Sequence, residues 1–291
     1  MKEYVAEVAS VDAYQLAEGP VWDDTGERVL WVDIAGGNVY IGTLDGDSVT
    51  VTASHHVDDT VGAVAPTDSG DLLVAGHHAV HLLTGEGHLT EVSRPLRPSE
   101  RRRFNDGACD PGGRFLVGTL SLGEPARRES LYQIDPVAGV SVLDDDLALS
   151  NGIAWSPDGA VLYTVDTTPG TIWARSYDAT SGKCGERHVA FSVRDGSPDG
   201  ICVDTDGNLW VAIWGRGEVR CFSPRGQLLA TVLVKAPHVS SVAFVGPGRD
   251  RLLITTARDE LSADDLAAHP ASGHLFLADV PARGATTFAW S

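Results

Sequence analysis

Short runs of alternating apolar residues, each broken by an Asp, Pro and Gly turn and answered by a second apolar run, recur along the whole chain. Six stretches share this grammar: VWDDTGERVLWVD, AVAPTDSGDLLVA, ACDPGGRFLVG, IAWSPDGAVLYTVD, ICVDTDGNLWVA and VAFVGPGRDRLLITT. The Asp-Gly turns and the alternation of Val, Ile, Leu, Tyr and Trp are hairpin signals. Turn glycines Gly26, Gly70, Gly113, Gly159 and Gly207 follow one another at about 43 to 48 residues, and the irregular GPGRD turn completes the set. A fixed period of that size marks a solenoid or a propeller. Each unit continues into further β-rich runs, such as GNVYIGTL then SVTVTA in the first and GEVRCFS then QLLATVLV in the fifth. Four strands per unit and six units predict an all-β, six-bladed β-propeller with four-stranded blades.

A ring of blades must join its two ends to avoid exposed sheet edges. The N-terminal run YVAEVASVD (4–12) is expected to supply the outermost strand of the last blade, beside GHLFLADV (273–280) and ATTFAW (285–290). Helical periodicity is confined to ELSADDLAAHPA (260–271), a surface loop or a single helical excursion. The 32 glycines and 15 prolines suit a chain of many turns. No Ser/Pro-rich linker or charge block divides the 291 residues, so 1–291 reads as one propeller domain.

A formal charge of −18 without a basic stripe excludes nucleic acid as partner, because phosphates would be repelled. No run reaches the ~18 apolar residues of a membrane span, and MKEYVAEVAS lacks the apolar core of a signal peptide. The expectation is a cytoplasmic protein with no membrane partner. The four cysteines occur singly, which suggests neither a zinc site nor a disulfide framework. Cys109, Cys202 and Cys221 fall in apolar strand patterns as small core residues.

The repeat carries chemistry. Eight positions before the turn glycines stand Glu18, Gly62, Asn105, Asn151 and Asp199, and the sixth counterpart falls at Ser240 or Ser241. In a propeller these positions precede the innermost strands, at the mouth of the central channel. Asp and Asn before a strand also cap turns, but four at one offset point to a shared role. Two acidic and two amide oxygens are hard donors that select a divalent cation such as Ca²⁺, Mg²⁺ or Mn²⁺.

The segments AEGPVW (17–22), RFNDG (103–107), LSNGIAWSPDG (149–159) and SPDGICVDTDGNLWVA (197–212) closely resemble the regucalcin/gluconolactonase family of six-bladed propellers, also called senescence marker proteins. The resemblance runs over nearly the whole chain, down to TTARDEL (255–261). It implies a divalent-metal-dependent hydrolase that opens a sugar-acid (aldono-) lactone to the free acid. It implies Glu18, Asn151 and Asp199 as metal ligands, with Asp199 also the general base. Arg103 and Asn105 match the substrate-contacting pair, and Asp106 the holder of a metal-bound water. Ca²⁺ is the first choice of cofactor on ligand hardness, but three protein ligands are few for its usual 6 to 8 oxygens, which leaves Zn²⁺, Mn²⁺, Fe²⁺ and Mg²⁺ open. This chain departs from the family after its GT motif, where vertebrate members carry an acidic pair that helps bind the sugar. Here the sequence reads GTLSLGEPARRES, with Gly123 in the register of the second acid, so Ser121 or Glu124 is expected to take that contact.

Other candidates read as structural. His77, His78 and His81 in HHAVH would not share one face of a strand, and are expected on an outer strand at the surface. Ser156 and Ser197 lack a GxSxG elbow or a matched His. Asp166 is placed to reach the edge of the site, and Trp214 to line its mouth, while Trp22, Trp155 and Trp210 pack between blades. The alternatives to a lactonase are an organophosphate hydrolase of the same fold and a non-catalytic calcium-binding propeller.

Overall fold

The computed structural model describes residues 2–123 and 128–291. Their strands form six small sheets, each built on four antiparallel strands. The innermost strands are Ala17–Asp23, Ala63–Pro66, Arg102–Cys109, Ser150–Trp155, Ser197–Val203 and Val239–Val245. Each pairs with the strand that follows its turn. Successive innermost strands pack side by side around the whole ring, the sixth against the first. The architecture is a six-bladed β-propeller.

The turn aspartates of the repeat close these hairpins. Asp23 Oδ1 accepts from the backbone N–H groups of Thr25 and Gly26 (both 3.1 Å), and Asp110 Oδ1 from Gly112 and Arg114 (2.9 and 2.7 Å). Asp204 Oδ1 does the same for Asp206 and Asn208 (3.0 and 2.8 Å). A short side-chain acceptor that satisfies two turn amides explains why Asp recurs there. Apolar faces of adjacent blades then bury one another, giving a separate hydrophobic cluster at each of the six interfaces. Trp22, Trp155 and Trp210 lie in these clusters, each 5% exposed or less.

Closure of the ring differs from the sequence expectation. Only Glu7–Val8 forms the outermost strand of the last blade, pairing with Leu277 and Phe276. The preceding residues, Lys2–Val5, run parallel to Leu228–Leu233 and cover the outer edge of the fifth blade. Between the two, Ala6 is fully buried and its N–H donates to Leu233 O (2.9 Å). One short segment thereby blunts two sheet edges, the arrangement expected where an unpaired edge is a liability.

The C-terminal ATTFAW does not join the last blade. Pro281 offers no N–H to continue the ladder, and the chain leaves along the opposite face of the ring. Gly284 bridges to Asp204 in the fifth blade, where a Cβ would stand 2.4 Å from that of Phe244. Six residues later Trp290 bridges to Thr67 in the second blade. Those two blades face each other across the ring, so residues 285–289 form a strap across the channel axis.

The 260–271 segment contains one short helix, Ala263–Ala268, started by a capping box in which Ser262 and Asp265 satisfy each other's backbone N–H groups. No helix among the described residues is long and apolar enough to cross a membrane.

Candidate active site

Near the channel mouth, five of the six innermost strands shift register: between Glu18 and Val21, Phe104 and Gly107, Asn151 and Ile153, Pro198 and Ile201, and Val239 and Ser241. A bulge inserts a residue and re-aims the side chains beside it. Glu18, Asn105, Asn151 and Asp199 all line one cavity of about 180 Å³, together with Arg103. The second blade, whose strand has no such shift, contributes only Gly62. A Cβ there would lie 2.6 Å from the Phe104 carbonyl, so backbone from the third blade fills that place in the ring. The sixth counterpart turns away: Ser240 donates to Ala17 O (2.6 Å), while Ser241 lies against Glu18.

A hydrogen-bonded chain fixes the polar side of the mouth. Arg103 Nη1 donates to Phe104 O (2.9 Å) and to Asn105 Oδ1 (2.7 Å). Asn105 Nδ2 donates to Ser150 O (3.0 Å) and Asn151 Oδ1 (3.1 Å). Asn151 Nδ2 reaches Thr167 Oγ1 (3.1 Å), which donates to Pro198 O (2.8 Å) immediately before Asp199. Arg103 is 9% exposed and is no solvated member of its arginine run.

Two buried carboxyl groups, Glu18 and Asp199, line this small volume, and a third, Asp106, lies close to both. Burial raises the Glu18 carboxyl to about 8, with the nearby Asp106 charge adding to the effect. Burial also raises Asp199 well above the ordinary range, reinforced by Glu18 and Asp106. Asp106 is raised mainly by burial, while its Oδ1 accepts from Gly107 N (2.7 Å). Arg103 opposes these charges, yet its own burial lowers it to about 10. Asp199 Oδ1 is buried with no hydrogen-bond partner. An unpartnered buried carboxylate oxygen is costly unless a cation or donor meets it. Among the described residues no three His, Cys, Asp or Glu side chains are grouped to hold a metal ion, so a cation here needs the Asn151 amide oxygen as well. The donors available are all oxygens, which suits a hard cation.

Several expected residues lie elsewhere. Ser121 does not line the cavity; its hydroxyl donates to Glu129 Oε1 (2.5 Å), a fully buried acid that also accepts from Thr119 Oγ1 (2.8 Å). Glu124 lies outside the described residues. Asp106 is not a lining residue but sits close enough to Glu18 and Asp199 to perturb both. Asp166 accepts from Ala148 N (3.1 Å) and Leu149 N (3.0 Å), pinning the connection into its blade and not facing the cavity. His77 and His78 are half-buried in the connection between Leu72–Ala75 and Val80–Leu83, and do not lie on an outer strand. Their rings are 4.2 Å apart, and His77 Nδ1 contacts Thr60 Oγ1 (3.1 Å). Trp214 does line the mouth, stacked on His238 at 4.1 Å.

The sequence reading missed Thr167, Asp259 and Glu260, which also line the cavity, and the apolar walls Leu16, Ile34, Leu120 and Leu149. Most come from the connections between strands, whose lengths vary and follow no period.

The family model described as the SMP-30/Gluconolactonase/LRE-like region matches residues 16–258. The chain belongs to this family. It is 33% identical to regucalcin from Gallus gallus, over 95% of this chain and 94% of that protein. It is 32% identical to 6-deoxy-6-sulfogluconolactonase from Pseudomonas putida, over 92% of each. The crystal structure of a calcium-binding protein, regucalcin, from Agrobacterium tumefaciens superposes with a TM-score of 0.93 at 27% identity, covering 100% of this chain and 98% of that one.

Proposed function

We propose that this propeller is a divalent-cation-dependent lactonase that opens a sugar-acid lactone to its free acid. The observation that carries the reading is the buried, unpartnered Asp199 Oδ1, which lines one cavity with Glu18 and Arg103. Its family and a relative named for lactone hydrolysis support the reaction class, and a relative described as calcium-binding supports a cation. Glu18, Asn151 and Asp199 fit as ligands, because two buried carboxylates with raised pKa gain most from a positive charge between them. Asn105 fits less well as a direct ligand, since its amide oxygen is already engaged by Arg103. Ca²⁺ is the first choice on hardness, with Zn²⁺, Mn²⁺, Fe²⁺ and Mg²⁺ as the arms of the test.

A cation bound there would act as a Lewis acid toward the lactone carbonyl and open positions for water and substrate. The protein's own groups do the rest. Both hydrogen bonds of Arg103 are made by Nη1, which leaves Nε and Nη2 to donate to lactone oxygens and hold the ester in place. Asp199 accepts a proton from the attacking water as its oxygen bonds to the carbonyl carbon. The ring C–O bond then breaks, and the proton returns to the leaving oxygen to give a hydroxy acid. A buried carboxylate held at the attacking water takes up its proton in a fixed geometry, and such transfer contributes about 10² to 10⁴ in rate. To Asp106, whose charge acts on both Glu18 and Asp199, falls the holding of a water at the edge of the site.

The test is hydrolysis of an aldonolactone panel by chelator-treated protein supplied in turn with Ca²⁺, Mg²⁺, Mn²⁺, Fe²⁺ or Zn²⁺. Turnover above metal-free protein with at least one cation is expected. If every lactone stays at that background, the protein is a cation-binding propeller and not a lactonase.

A further inference from the structure

Asp259 and Glu260, in a tight turn of the sixth blade, line the same cavity as Arg103 and Asp199. The turn is held rigidly. The N–H groups of Arg258 and Asp259 both donate to Gln15 O (2.9 Å each), Leu261 N donates to Arg258 O (3.2 Å), and His238 Nδ1 hydrogen-bonds Asp259 O (2.9 Å). Glu260 is kept in the left-handed region, with φ of 60°. For a residue with a Cβ this conformation is strained and persists only where surroundings enforce it. The same His238 stacks on Trp214, so an aromatic plate and an acidic turn form one wall of the mouth.

These carboxylates are underused within the protein. Asp259 accepts a long bond from Gln15 Nε2 (3.3 Å), and its charge acts on Arg103 across the cavity lining. Free carboxylate oxygens facing a cavity are acceptors for hydroxyl groups, and O–H···O⁻ bonds are about twice as strong as neutral ones. The cavity is lined by four acids, Glu18, Asp199, Asp259 and Glu260, and by one cationic residue, Arg103. Even with a divalent cation in place the lining stays net negative. The buried, unpartnered Asp199 Oδ1 in the same lining is a second sign that a ligand fills this space.

We propose that Asp259 and Glu260 are specificity-determining residues: they accept hydrogen bonds from substrate hydroxyls opposite Arg103, so that the mouth selects neutral polyhydroxylated lactones and disfavours those bearing a phosphate or sulfonate. This rests on the lactonase reading for its kinetic test but not for its binding test. In Asp259→Asn and Glu260→Gln, KM for glucono-1,5-lactone rises about tenfold with kcat within twofold, whereas kinetics on δ-valerolactone, which carries no hydroxyls, do not move. Glu260→Gln lies on an exposed residue and keeps the fold if Asp259→Asn does not. Calorimetry of Ca²⁺-loaded protein with sorbitol reads the same contacts without turnover, and affinity falls about tenfold in each variant. Loss of sorbitol binding in a protein that hydrolyses no lactone would uphold the acidic wall while the lactonase reading fell. Equal KM changes on both lactones, or unchanged sorbitol affinity, would overturn the assignment.

Discussion

The two ends of the channel are made from the same six strands and could hardly be less alike. At the mouth, the residues beside the bulges are Glu18, Asn105, Asn151 and Asp199, around a cavity of about 180 Å³. Toward the far end, the same strands present Val21, Val64, Ile153, Ile201 and Val242, around a cavity of about 140 Å³ under the C-terminal strap. A few residues of strand separate charge that is costly to bury from side chains that gain by burial. The bulge marks the change: before it, side chains are chosen for what they bind, and after it for how they pack. Substitutions at the mouth should therefore alter ligand affinity and turnover, and substitutions at the far end stability.

The sharpest break of that contrast is Asp199→Asn. The amide keeps shape and a ligand oxygen but accepts no proton, so kcat at saturating cation should fall about 10² to 10⁴-fold with little change in melting temperature. A variant with wild-type turnover would remove Asp199 as the base. At the other end, Trp290→Ala removes a nearly buried aromatic from the interface of the second and third blades. It should cost about 3–5 kcal/mol in denaturant unfolding and leave cation affinity unchanged. If calorimetry instead showed weakened cation binding at full stability, the two ends would not be separable.

Glu18→Gln should weaken cation binding at least tenfold, about 1.4 kcal/mol, measured by titration calorimetry. Equal affinities would take Glu18 out of the ligand set. The smallest effect is in pH. The folded Glu18 carboxyl titrates near 8 against an ordinary value of 4.5, so in metal-free protein its contribution is complete below about pH 4.5. It is lost as pH rises through about 8, because the unfolded chain gives up that proton more readily. Chelated wild type should lose a few degrees of melting temperature relative to Glu18→Gln between pH 5 and 9, and added cation should abolish the difference. Parallel melting profiles with and without cation would contradict this placement of charge.

Much of this was legible in sequence because one geometric constraint repeats. In the first five blades the distance from the mouth to the turn is fixed by strand length, so a constant offset of eight residues from the turn glycine finds the same place in the ring. The ring's closure was not legible, since a run such as YVAEV is equally apt for either of two sheet edges, and the structure uses it for both. Ser121 misled for a different reason. Its hydroxyl is drawn away by Glu129, and nothing in the sequence shows that this glutamate is buried. Asp259 and Glu260 reach the mouth from the longest connection of the sixth blade, where no period operates.

The strap from Gly284 to Trp290 lies across the back of the channel. The mouth, rimmed by Trp214, Asp259 and Glu260, is then the side from which a lactone reaches Asp199. The shape of the ring thus turns a tail that belongs to no blade into the reason the enzyme has a front.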